Sequence, residues 1–192
     1  MTAVNSTMLD LGTKIPAFSL PAATEEVVSS DDFSDAQGLL VMFICNHCPY
    51  VKHIQGTLVE LIKEFQIKGI AVIAINANDW EAYPADRPEA MAEEIKQYGY
   101  TFPYLYDETQ QIAKRFQAAC TPDFFLFDAH RKLVYRGQMD DSRPGNSKPV
   151  TGSDLRAALE SLLKGQAVNE ENQKPSMGCN IKWRPGNEPD YF

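Results

Sequence analysis

Two short runs, Leu39–Ile44 (LLVMFI) and Ile70–Ile75 (IAVIAI), contain no polar residue at all. Unbroken and partly β-branched, they predict strands buried on both faces of a sheet. Between them the period changes. From Pro49 on, Val51, Ile54, Leu58, Leu61, Ile62 and Phe65 recur at helical spacing, and Gly69 follows as a stop. Asn76 to Pro88 is a polar loop. A second helix opens at Pro88-Glu89, with proline at its favoured first position, and ends at Gly99. Tyr104 to Tyr106 predicts a short strand and Glu108 to Phe116 a short helix. Phe124 to Phe127 and Leu133 to Arg136 flank the turn-forming Asp128–Lys132 and predict a hairpin. A last helix spans Thr151 to Lys164, with Ser153 as its cap, a stripe of Leu155, Leu159, Leu162 and Leu163, and Gly165 as its end.

The order strand, helix, strand, helix, hairpin, helix predicts an α/β fold with a mixed sheet flanked by helices. Residues 1–38 read as an irregular extension with short strands and turns at Pro16, Pro21 and Gly38. Residues 166–192 read as a polar, extended C-terminal tail. Its Met177, Cys179, Ile181 and Trp183 point to a tail that docks on a domain formed by residues 1–165.

Composition narrows the function. A chain of 192 residues is long enough for one domain with a real core and hardly for two. A formal charge of −8 leaves no basic stripe for nucleic acid and repels an anionic membrane surface, so neither is expected as a partner. No apolar run reaches the roughly 18 residues of a membrane span. The N-terminus lacks the basic start and apolar stretch of a signal peptide, which makes a reducing cytoplasm the expected compartment. Four cysteines there are expected to be working or free thiols rather than crosslinks.

Two of those cysteines stand in FICNHCPYV, residues 43–51, where a buried strand gives way to a helix. With Cys45 at the helix N-terminus, free amides and the helix dipole favour its thiolate, the nucleophilic form. Cys48, one turn on, is then able to close a disulfide back to it. His47 between them is a further donor toward the Cys45 thiolate. A zinc site is a weaker alternative, because no second C-x-x-C exists and four ligands would have to be gathered from His47, His53, Cys120 or Cys179. Plain packing is the third alternative, since free cysteine serves as a small apolar residue.

Further stretches carry a resemblance. FICNHCPYV at the first helix, together with ACTPDFFLFD ahead of a hairpin and a final helix, resembles the thioredoxin fold. The opening LGTKIPAFSLP is similar to the N-terminal extension of peroxiredoxin and alkyl hydroperoxide reductase-like members, and YRGQMDDSRPGN and PSMGCNIKWRPGNEP extend the likeness over almost the whole chain. The resemblance implies a thiol–disulfide oxidoreductase in which Pro122, after Thr121, is a cis-proline facing the dithiol. It implies no bound cofactor, a protein or small-molecule thiol or disulfide client, and an upstream thiol reductant. Several departures stand beside it. Asn46-His47 replace the Gly-Pro of thioredoxin, Ile44 replaces its tryptophan, and Leu39 stands near the place of its buried acid. A histidine before the second cysteine resembles oxidising periplasmic enzymes. Aligned with the peroxiredoxin motif P-x-x-x-T-x-x-C, Cys48 takes the place of the peroxide-attacking cysteine, Cys45 that of the threonine and Val41 that of the proline. Peroxidase activity is therefore the alternative redox function. A metal-binding or non-catalytic interaction module is the alternative outside redox chemistry.

Five more features stand beside this dithiol. Cys120, two residues before Pro122, is either a third thiol or a buried bystander. Cys179 is either a resolving thiol or part of the packing of the tail. Asp140, Asp141, Ser142 and Arg143 read as a turn held by Asx-type hydrogen bonds, with a contact from Arg143 to substrate or tail as the alternative. Trp80 and Tyr83 are placed to line a client groove, and His53 reads as a surface residue.

Overall fold

The computed structural model describes residues 2–191. Along the chain the first strands are β1 (Ala3–Asn5), β2 (Ser19–Pro21), β3 (Val27–Ser29) and β4 (Gly38–Phe43). Helix α1 (Pro49–Ile67), β5 (Ile70–Asn76), α2 (Pro88–Tyr98) and β6 (Tyr104–Tyr106) follow. Then come α3 (Gln111–Arg115), β7 (Cys120–Thr121), β8 (Asp123–Asp128), β9 (Leu133–Gly137), α4 (Ser153–Leu163) and β10 (Met177–Asn180).

The central sheet has five strands in the order β6-β5-β4-β8-β9. β4, β5 and β6 run parallel, joined by helical crossovers, and the β8–β9 hairpin adds two antiparallel strands. Alternation along β4 divides the core. Leu40 and Met42 face α1 and α4, against Ile54, Leu58, Leu155 and Leu159. Leu39, Val41 and Phe43 face the opposite layer, with Phe116, Phe125, Phe127, Ile181 and Trp183. The six apolar positions read from α1 are all buried.

Several local expectations are corrected. Gly38 is no turn; it opens β4, buried against Leu162. Ser153 does not cap α4. Gly152 holds the cap position with φ +68°, and Asp140 Oδ2 takes the Thr151 and Gly152 N–H groups at 2.7 and 2.6 Å. A buried carboxylate satisfies the approach to this helix better than a solvated serine does. The third helix begins at Gln111 rather than Glu108, because Asp107 and Thr109 close a turn ahead of it. His53 is half-buried, with Nε2 2.7 Å from Ser142 Oγ.

The C-terminal residues enter the fold itself. β10 lies between β1 and β7 in a second, antiparallel sheet, with Cys179 opposite Ala3 on one side and Thr121 on the other. Beyond it, the Lys182 N–H donates to Asn78 Oδ1 at 2.8 Å, and the Asp79 N–H donates to the Lys182 carbonyl at 2.7 Å. Among the described residues no helix is long and apolar enough to cross a membrane.

Candidate active site

β4 delivers the chain to the dithiol. Its last hydrogen bond of this run is from the Ile44 N–H to the Ile75 carbonyl at 3.1 Å, and Cys45, Asn46 and His47 then turn toward α1. Pro49 is the first residue of the helix and Cys48 is its N-cap. Both cysteines are free thiols. Cys45 is 1% exposed and Cys48 is fully buried.

Opposite them stands the Thr121-Pro122 peptide, which is cis. Thr121 touches both sulfurs. Its Oγ1 lies 3.4 Å from Cys45 Sγ, and its carbonyl oxygen lies 3.2 Å from Cys48 Sγ. The second contact takes a thiol proton from Cys48, but the donors directed at Cys48 outweigh it. The Cys45 thiol is the strongest of them. Cys179, Thr121 and the Val51 amide add to it against the cost of burial, and the Cys48 thiol falls to about 5. Cys45 moves the other way. Burial pushes it well up, and its bond to Cys48 and the charge of Asp86 push it further. The two thiols titrate as one unit, with Cys45 shifted up and Cys48 shifted down.

The expected place of Cys45 at the helix N-terminus is corrected, since Cys48 holds the N-cap. The physical reason is one of register. The helix begins three residues later than that reading requires, so its amide end lies at Cys48. His47 is also corrected. Its Nδ1 lies 2.6 Å from Asp86 Oδ2, so its hydrogen bond goes to a carboxylate and not to the Cys45 sulfur.

Asp86 is the buried residue that holds the dithiol turn. Its Oδ1 accepts the Asn46 N–H at 2.8 Å, and its Oδ2 accepts from His47 and from Asn78 Nδ2 at 2.9 Å. Burial raises its carboxyl, but these bonds and the charge of His47 outweigh burial and hold it below the usual value. Asn46 completes the frame through Ala85 O at 2.9 Å and the Tyr104 hydroxyl at 3.0 Å. The His47 ring stacks on Tyr83, with centroids 5.4 Å apart. Asp86, Asn78 and Tyr104 were not legible as site residues. They lie in or beyond a polar loop with no periodicity, and nothing local marks one acid there as buried.

The other candidates divide. Cys179 reaches the site, paired opposite Thr121 and buried in one cluster with Cys45 and Cys48. Cys120 is buried with its sulfur 3.6 Å from the Pro122 carbonyl, and burial pushes its thiol well up. Arg143 turns into its own loop and donates to the Asp140 and Ser142 carbonyls at 2.6 and 2.7 Å, with Ser142 N bonded to Asp140 Oδ1 in the expected Asx fashion. Tyr83 is exposed above His47 while Trp80 is half-buried. Cys45, His47 and Asp86 each offer a ligand atom within 4.8 Å of the others. Both Asp86 oxygens are already engaged and a structural zinc takes four ligands, so the donor set fits a hydrogen-bonded frame better than a metal.

Residues 11–136 match the AhpC/TSA family. The chain belongs to that family. Within its fold, an uncharacterized conserved protein from Geobacillus kaustophilus is 53% identical, with a TM-score of 0.94 over 97% of this chain and 98% of that one. A hypothetical protein from Sinorhizobium meliloti 1021 is 49% identical, with a TM-score of 0.93 over 95% of this chain and 99% of that one. The thiol-disulfide oxidoreductase ResA of Bacillus thuringiensis subsp. konkukian is 23% identical over 156 residues, 81% of this chain and 78% of that protein. This AhpC/TSA chain thus carries its C-x-x-C where the sheet meets the first long helix, opposite a cis-proline.

Proposed function

We propose that this AhpC/TSA protein is a thiol–disulfide oxidoreductase whose charged sulfur is Cys48. The observation that carries the reading is the placement of the pair, with Cys48 at the N-cap of α1 and both sulfurs against the cis Thr121-Pro122 peptide, and the lowered Cys48 value agrees with it. The thiolate is the form that attacks a disulfide. The Cys48 sulfur attacks one sulfur of a client disulfide. A mixed disulfide forms, and the second client sulfur leaves as a thiolate that takes up a proton. Cys45 then loses its proton and attacks Cys48 Sγ. The Cys45–Cys48 bond forms and the client leaves with both sulfurs reduced. Two electrons pass from the dithiol to the client, and an upstream thiol restores the dithiol. Asp86 and His47 act as positioning residues for the turn, and Thr121-Pro122 shapes the surface beside the sulfurs.

The clients of this reading are proteins or small molecules with exchangeable disulfides, and cytoplasmic residence is part of the same proposal; cell fractionation tests the latter. The test of the chemistry is residue-resolved alkylation against pH, read by mass spectrometry, beside insulin reduction. Cys48 is expected to alkylate with a midpoint well below that of an ordinary thiol, and Cys45→Ala and Cys48→Ala are each expected to abolish turnover. Equal, ordinary midpoints for both sulfurs overturn the reading.

A second reading draws on one observation. The charged sulfur is the one aligned with the peroxide-attacking cysteine of the peroxiredoxin motif. An antioxidant peroxidase reading is supported if Cys48→Ala abolishes hydrogen peroxide consumption while insulin reduction is absent from the unsubstituted protein.

A further inference from the structure

The strand that covers the dithiol brings its own cysteine. β10 runs antiparallel along β7 with Cys179 opposite Thr121, the residue that contacts both Cys45 and Cys48. The fit is close enough to require glycine beside it, since a Cβ on Gly178 would overlap the Thr121 carbonyl and crowd the Pro122 nitrogen. In this register Cys179 and Cys48 share one buried cluster, close enough for each to shift the other's proton affinity. Cys48 therefore stands between two sulfurs, Cys45 from its own turn and Cys179 from the tail. Each is buried with it in one apolar cluster.

We propose that Cys179 is a third redox thiol, and that Cys48 exchanges its disulfide between Cys45 and Cys179. This deepens the thiol–disulfide reading above and rests on it. In the oxidised site Cys45 and Cys48 share a disulfide. The Cys179 thiol gives up its proton and its sulfur attacks Cys48 Sγ. The Cys48–Cys179 bond forms and the Cys45–Cys48 bond breaks. Cys45 leaves as a thiolate and takes up a proton. No electrons enter or leave, so the step needs no outside oxidant.

The electrostatics follow the redox state. In the reduced site burial pushes the Cys179 thiol up to about 12, helped by its hydrogen bond to Cys48 and by the charge of Cys48. Once Cys48 is in a disulfide, the last two influences are gone. Burial, the largest cause, remains, and the charge of Lys182 opposes it. Oxidation of the dithiol thus removes two of the influences that hold the proton on the third thiol. The product ties β10 covalently to the N-terminus of α1 and returns Cys45 to the thiol state.

The test is a disulfide map of the full chain. Reduced protein is treated with one equivalent of diamide, which accepts two electrons and two protons from a thiol pair, then alkylated, digested and read by mass spectrometry. Cys45→Ala is expected to give an intramolecular Cys48–Cys179 disulfide in most of the monomer, and Cys179→Ala a Cys45–Cys48 disulfide. A Cys45→Ala protein that yields only intermolecular dimers, or oxidised Cys48 with Cys179 alkylated, overturns the third thiol. If Cys179→Ala also forms no Cys45–Cys48 bond, the dithiol reading falls with it; failure of Cys45→Ala alone leaves that reading standing. Should a variant not fold, the unsubstituted protein decides. Its digest is expected to contain Cys48–Cys179 peptides beside Cys45–Cys48 peptides, and their absence overturns the proposal.

Discussion

Asp86 Oδ2 lies 2.6 Å from His47 Nδ1, and this one pair anchors the turn that holds both sulfurs. The Asp86 side chain is fully buried, so it cannot trade His47 for water. Two further donors, the Asn46 N–H and Asn78 Nδ2, converge on the same carboxylate.

Asp86→Ala leaves all three of these donors without their acceptor. Removing one partner of a buried, hydrogen-bonded pair costs about 3 kcal/mol. The urea midpoint is expected to fall accordingly, and Asp86→Asn to lose less because it still accepts from Asn46. An Asp86→Ala protein with an unchanged midpoint shows that the turn is held elsewhere.

The reduced dithiol sets a pH dependence of stability. Cys48 has a folded value of about 5 against an ordinary thiol value in the unfolded chain. Between those values the unfolded state binds one more proton, so stability rises with pH across that window and is lost as pH falls toward 5. Denaturation of the reduced protein at several pH values is expected to show this rise. Cys48→Ala is expected to flatten it, and an identical slope in the variant contradicts the charge assigned to Cys48.

Asp123 gives the opposite sign. Burial pushes its carboxyl well up, its Oδ1 takes only the Phe124 N–H at 3.1 Å, and its Oδ2 has no hydrogen-bond partner among the described residues. Its folded value lies above its unfolded one, so the folded state holds the proton after the unfolded chain has lost it. Its contribution is fully present below the usual carboxylate range and declines as pH rises above it. Asp123→Asn removes that penalty. The variant is expected to be more stable at neutral pH by about 1–2 kcal/mol, with the gain vanishing below about pH 4.

Gly178→Ala tests the covering strand without touching a sulfur. The added methyl meets the Thr121 carbonyl and has no space unless β10 lifts from β7. A local opening easier by about 1–2 kcal/mol corresponds to alkylation of Cys48 about five- to thirtyfold faster. Unchanged alkylation shows that reagent reaches Cys48 by another route.

Much of the scaffold was readable from alternation and period. The all-apolar LLVMFI and IAVIAI runs became β4 and β5, and the helical spacing from Pro49 became α1. The cis-proline at Thr121-Pro122 was instead implied by the family resemblance. The misreadings share one cause. Ser153 and Gly38 were read from their own neighbours, whereas Asp140 and Leu162 reach these positions from elsewhere along the chain.

Strand, helix and dithiol were legible because burial patterns and turn chemistry act over a few residues. The shift of the Cys48 thiol was not. It depends first on the Cys45 thiol as the folded turn directs it, then on Cys179 in the tail and on Thr121 far along the chain. The anchor Asp86 lies 40 positions from Asn46. A thiol's proton affinity is set by which donors and carbonyls surround it and by how little water remains, and folding alone assembles that surrounding shell.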